Sequence, residues 1–192
     1  MKKKVLVIVA HPDDETIWMG GTLLRNKNRW NTEIISLCRK DDKDRAPRFK
    51  EACRIFNAKG FMSDLEDDKL TEISTNEAIK RIKEYANKEY DYIFTHGNNG
   101  EYGHIRHKDA NKAVKEMLKN KILMCKKIFF FSYIKKGCIC YANENSDKFI
   151  NLKDIELERK KMLIRGVYGF LKDSFEDLCS RDTEAFNTEG SL

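Results

Sequence analysis

The stretch VLVIVAHPDDETIWMGGTLLRN, residues 5–26, decides the fold. Residues 5–10 form an unbroken apolar run rich in β-branched side chains, without the alternation of a strand that has one wet face. It predicts a strand covered on both sides. The run stops at the polar cluster HPDDE, residues 11–15, and helical spacing follows over 16–28. That helix crosses the adjacent Gly20 and Gly21, whose missing side chains allow a close neighbour. The same switch from extended to helical periodicity recurs downstream. Strands are predicted at 32–37, 61–65, 91–95 and 128–133, and helices at 47–58, 74–87, 104–118 and 155–165. Residues 138–142 read as a hairpin partner or edge piece. The alternation predicts an α/β fold of the Rossmann-like, three-layer kind, with a mostly parallel sheet and helices on both faces. Beyond Gly166 a short helix docked on the sheet is expected, followed by a frayed NTEGSL at 187–192.

The length, 192 residues, suits one domain over 1–192, its course less defined from about residue 150. Apolar residues make up 41% of the chain, enough to offset ordering entropy, which excludes a disordered protein. The net charge of +6 is spread through segments of mixed sign rather than gathered on one face, so nucleic acid is not an expected partner. The six cysteines include no CxxC pair, which argues against a zinc ribbon or a redox motif. Cys138 and Cys140 are expected as a buried pair on one side of a strand. No apolar stretch approaches a membrane span, and residues 5–10 are too short for a signal sequence. A cytoplasmic protein without a transmembrane segment is expected, its oligomeric state open.

In an open α/β sheet, ligands collect beyond the carboxyl ends of the strands. Two polar clusters fall there, HPDDE at 11–15 and HGNNGEYGHIRH at 96–107, and together they hold all four histidines. Charged groups at the end of a doubly covered strand need a cavity, a cation or each other. Asp14 or Thr16 could instead cap the following helix. Phosphate binding at that helix terminus is opposed by the two adjacent carboxylates. His104 and His107 are three apart at a helix start, hence on one face. Joined, the clusters offer imidazole nitrogens and carboxylate oxygens, a mixture that suits zinc, with iron or manganese also compatible. One aspartate would bind the metal and the other would stay free as a base.

The AHPDDE run at 10–15, the downstream GEYGHIRH at 100–107, and Arg48 and Glu51 in RFKE resemble the LmbE-like or PIG-L-like zinc-dependent N-deacetylases of N-acetylglucosamine-containing substrates. The resemblance covers about residues 4–133. It implies zinc ligation by His11, Asp14 and His107, with Asp13 as general base. It further implies that His104 stabilises charge or protonates the leaving amine, that Tyr102 supports the oxyanion, and that Arg48 grips the sugar or an attached anionic group. Glu15 would support the motif loop. Many bacterial members carry HPDH where this chain has His104, Ile105, Arg106 and His107; the aspartate that orients His104 is absent, and Arg106, if close, would oppose its protonation. The implied partner is an N-acetylated amino sugar. A metal-dependent hydrolase of non-sugar amides and a catalytically reduced sugar-binding protein are the competing readings.

Overall fold

A computed structural model of the protein describes residues 1–190. Strand β1 (Lys3–Val9) lies near the middle of a seven-stranded sheet, paired in parallel with β2 (Trp30–Cys38) on one side and β4 (Glu89–Thr95) on the other. Strand β3 (Ala58–Leu65) continues the sheet beyond β2, and β5 (Met124–Phe131) continues it beyond β4, both in parallel. The apolar run of β1 is doubly covered as its composition requires. Val5, Val7 and Val9 enter one core with α1 (Asp14–Asn26) and α2 (Arg45–Phe56), whose Trp18, Phe49 and Phe56 are fully buried. Leu6 and Ile8 enter the other core, with α3 (Thr75–Lys83) and α5 (Ile105–Lys119) contributing Ile82, Val114 and Met117. No helix among the described residues is long and apolar enough to cross a membrane.

The carboxyl-terminal quarter differs from the expectation. After the hairpin β6 (Tyr133–Lys136) and β7 (Ile139–Ala142) come β8 (Lys148–Asn151), α6 (Asp154–Met162) with a π-helical continuation over Leu163–Val167, α7 (Phe175–Cys179) and β9 (Thr183–Gly190). Strand β9 pairs antiparallel with β5 and with β8, completing the order β3-β2-β1-β4-β5-β9-β8. The helix expected after Gly166 is α7. Residues 187–190 of NTEGSL are strand rather than frayed chain, and the last two lie outside the described residues. The hairpin also separates the two cysteines. Gly137, at φ 64°, and Cys138 form its turn, so Cys138 is exposed and alternation begins only at Ile139. Cys140 is buried against Cys179, whose Sγ accepts its backbone N–H at 3.2 Å.

Helix α1 is broken at Met19 (φ −147°, ψ 19°). The donors freed there are taken up by Glu184 of β9, which accepts from the N–H groups of Gly21 and Thr22, both at 2.8 Å, and from Thr22 Oγ1 at 2.6 Å. Lys160 of α6 neutralises that carboxylate at 2.8 Å, and both side chains are buried. Gly21 allows the close approach foreseen from its sequence: a Cβ there would lie 2.4 Å from the Leu152 methyls.

Candidate metal centre and cleft

The chain runs outward from β1 to β2 and β3, then returns to place β4 on β1's other side. The strand order reverses between β1 and β4, the position where α/β sheets open a crevice. His11 lies two residues beyond β1, and His96 directly follows β4. Between His11 and α1 the backbone makes a turn that only strain permits, with Asp13 at φ 130°. Asp13 stands at the N-cap, but through its carbonyl, which accepts from Thr16 N at 2.8 Å and Ile17 N at 2.9 Å; no side chain caps the helix. Neither Asp14 nor Thr16 has the capping role considered from the sequence, and both aspartate side chains remain available.

Three donor atoms converge at this turn. His11 Nδ1 lies 3.2 Å from Asp14 Oδ2, His107 Nε2 lies 3.4 Å from the same oxygen, and the two nitrogens are 3.3 Å apart. Donors held at about 2.0–2.1 Å around a tetrahedral zinc are about 3.3–3.4 Å from one another, so the triangle has the dimensions of a three-ligand face. His96 is also within reach of Asp14, at 3.5 Å. Its Nε2, however, accepts the Ala10 N–H at 2.9 Å, which commits the lone pair a metal would need. Asp14 is held well below the ordinary carboxylate range; its burial acts the other way but is outweighed by His107 and His96.

Each imidazole of the triangle is oriented by a carboxylate on its far side. Glu101 Oε2 bonds His107 Nδ1 at 2.5 Å and His96 Nδ1 at 2.8 Å, while its Oε1 accepts Gly97 N at 2.7 Å. This leaves His107 Nε2 as the free donor toward Asp14. Glu101 reaches this position from a strained γ-turn-like backbone (φ 57°, ψ −61°) within the short helix α4 (Gly100–Gly103). Asp67 Oδ1 bonds His11 Nε2 at 2.9 Å, leaving Nδ1 to face the triangle. Trp18 Nε1 donates to Asp14 Oδ1 at 3.0 Å. Glu101, His96 and Asp67 are contributors that motif reading did not assign. The signal for Glu101 was a lone carboxylate six residues before a candidate ligand; Asp67 is hidden in a run of charge that reads as solvated.

The triangle borders a cleft of about 380 Å³ lined in part by Asp13, Trp18, Arg45, Tyr102, His104 and Phe175. Asp13 Oδ2 accepts from Arg45 Nη1 at 3.0 Å, and the Arg45 guanidinium lies 4.4 Å from the Phe170 ring centre. Burial, then the charge of Asp14, pushes the Asp13 carboxyl well up. The Tyr102 ring meets His104 and His107 edge-on, with centroids at 5.6 and 5.2 Å. His104 Nδ1 accepts the Arg106 N–H at 3.3 Å; burial, followed by the charges of His107 and His11, brings its pKa down to about 4. Arg48 does not line the cleft. It bonds Asp44 at 2.7–2.8 Å and the Val167 carbonyl at 3.0 Å, while Glu51 pairs with Arg54. Glu15 braces the motif loop as expected, accepting from Asp13 N, Thr16 Oγ1 and Tyr168 OH.

A family model described as PIG-L, GlcNAc-PI de-N-acetylase, matches residues 6–118. The uncharacterized protein L374 of Acanthamoeba polyphaga mimivirus is 27% identical over 128 residues, 59% of this chain and 57% of that protein. The chain thus spans little more than half the length of that relative. Among solved structures, N,N'-diacetylchitobiose deacetylase from Pyrococcus horikoshii superposes with a TM-score of 0.72 at 16% identity, covering 99% of this chain and 85% of that one. The conserved protein TT1542 from Thermus thermophilus gives 0.68 at 15% identity, covering 99% and 96%. GalB, the 4-carboxy-2-hydroxymuconate hydratase of Pseudomonas putida KT2440, gives 0.71 at 12% identity, covering 98% and 96%. At such identities the structural likenesses establish the fold alone. The family match is of another kind, because it spans more than half of the sequence and takes in β1 through α5 with all four histidines: the chain belongs to the PIG-L (GlcNAc-PI de-N-acetylase) family.

Proposed function

We propose that the protein is a metal-dependent hydrolase that removes the acetyl group from an N-acetylglucosamine-like sugar or conjugate. The observation that carries this is the triangle of His11 Nδ1, Asp14 Oδ2 and His107 Nε2, with sides of 3.2–3.4 Å, beside a cleft that Asp13 lines. Family membership supports the substrate class. Zinc suits a set of two histidines and one carboxylate; bound there, it would supply a Lewis acid for the acyl oxygen and lower the pKa of water. Iron or manganese suits the same donors.

Asp13 acts as the general base, taking the proton of the attacking water and returning it to the departing amine. Its raised pKa moves it toward the range where a base works well near neutral pH, and Arg45 engages Oδ2 alone. His104 keeps its proton on Nε2, because Nδ1 accepts a backbone N–H, and at a pKa of about 4 it is neutral. This favours charge stabilisation by a hydrogen bond to the developing oxyanion, beside the Tyr102 hydroxyl, over donation of a full proton. Arg45 and Arg39, rather than Arg48, are the cleft-lining cations available to an anionic group on the substrate.

The test is acetate release by zinc-loaded protein from N-acetylglucosamine, N,N'-diacetylchitobiose and N-acetylglucosaminyl conjugates, with the free amine measured in parallel. Equal yields of acetate and amine are expected from at least one sugar. Release only from acylated amides without a sugar would replace the substrate class. Binding with the substrate recovered intact would leave a sugar-binding protein.

A further inference from the structure

Arg106 is the third residue of HIRH, between the two histidines that face the cleft and the donor triangle. It is fully buried, and its guanidinium is bonded to Glu66, Thr71 and Asp109. Nε donates to the Glu66 carbonyl, Nη2 to Glu66 Oε2 at 2.5 Å and to the Thr71 carbonyl at 2.8 Å, and Nη1 to Asp109 Oδ2 at 2.9 Å. The Glu66 carboxylate in turn accepts from Lys69 N, Thr71 N and Thr71 Oγ1. Residues 66–71 contain no helix or strand, so the loop is held by side chains, with Arg106 and the Glu66 carboxylate tying both its ends.

That loop carries Asp67, whose Oδ1 meets His11 Nε2 at 2.9 Å, while Oδ2 is held by Arg39 at 2.7 Å. A neutral imidazole has one proton and here two carboxylates compete for it, Asp67 at Nε2 and Asp14 at Nδ1, the latter at 3.2 Å. If the proton rests on Nδ1, it points into the donor triangle and removes the lone pair. If it rests on Nε2, the triangle is complete. Arg106 precedes His107 in the first turn of α5, so its clamp ties the turn that carries one donor to the loop that orients another.

We propose that Arg106 is a positioning residue: by fixing loop 66–71 it presents Asp67 to His11 Nε2 and keeps His11 Nδ1 available as a metal donor. This rests on the donor triangle of the proposed function. Outer partners of metal-bound histidines typically affect affinity about 10- to 100-fold.

The experiment uses full-length wild type, Arg106→Lys, Asp67→Asn and, because replacing a buried arginine can prevent folding, Glu66→Gln on the loop's more exposed side. Imidazole nitrogen shifts of the four histidines, recorded by NMR on metal-free protein at alkaline pH beyond the point where the shifts stop changing, give the His11 tautomer. Competition with a chromophoric chelator gives zinc affinity. Expected are an Nε2–H tautomer in wild type, a shift toward Nδ1–H in Arg106→Lys and Glu66→Gln, and about 10-fold or greater loss of zinc affinity in both. Glu66→Gln combined with Asp67→Asn should lose no more than Asp67→Asn alone. Unchanged tautomer in both loop variants, or losses that multiply in the double variant, would overturn the proposal. A wild type that holds the Nε2–H tautomer but releases no acetate would count against the hydrolase reading and leave the positioning role standing.

Discussion

Two neighbouring aspartates have different surroundings, and each surrounding predicts a different defect. Asp14 faces three imidazoles, whereas Asp13 faces Arg45 and the cleft. Asp13→Asn should keep zinc within a few-fold of wild-type affinity and lower kcat by about 10²- to 10⁴-fold. Asp14→Asn should lose zinc first, as read by metal analysis after dialysis. The opposite pattern would exchange their roles. His104 and His11 titrate in opposite senses. The folded chain resists protonating His104, at about 4 against an ordinary 6.5, so protons favour unfolding as pH falls from about 6.5 through 4. At His11, burial is outweighed by hydrogen bonds to Asp14 and Asp67, raising the pKa to about 9. That contribution to stability is complete below about 6.5 and fades as pH rises through 9. Urea unfolding of the metal-free protein should therefore show His104→Gln losing less stability than wild type between pH 6.5 and 4.5. Equal losses would remove His104 as the source.

Helix α1, which begins at Asp14, is broken at Met19. Its second half begins at Gly21 and Thr22, capped by a carboxylate from β9 that is itself neutralised from α6. Removing one partner of a buried pair leaves the other charge uncompensated, at a typical loss of about 3–5 kcal/mol. Glu184→Gln should unfold at correspondingly lower urea, while replacing Lys160 and Glu184 together with Met and Gln should recover part of the loss. If the single variant matches wild type, the pair does not hold the break. Helix α2 shows how an element's starting residue changes what a sequence appears to offer. The helix begins at Arg45 rather than near Pro47, and in that register Arg45 reaches Asp13 while Arg48 reaches the Val167 carbonyl.

Across the whole molecule, legibility follows the length of the pattern. The doubly covered strands announce themselves through continuous apolar runs, and the helices through amphipathic spacing, so the parallel sheet from β3 to β5 could be read. Strands β8 and β9 could not. KFIN is four residues long, and TEAFNTEG buries only Glu184, Ala185 and Phe186, with a charged side chain where alternation would look for an apolar one. At the site, His11, Asp13, Asp14, Tyr102, His104 and His107 are drawn together because both clusters sit at strand ends flanking the reversal of strand order. Their supports were hidden because Asp67 meets His11 across 56 positions of sequence, and loop charge that far away carries no periodic signal.

Glu184 also dictates an order of events at birth. On a ribosome the HPDDE turn emerges early, but the carboxylate that seals the break in its helix is translated more than 160 residues later. Until β9 has been made, the N–H groups of Gly21 and Thr22 lack that acceptor and depend on water, so the break in α1 is sealed by a contact that local sequence cannot supply.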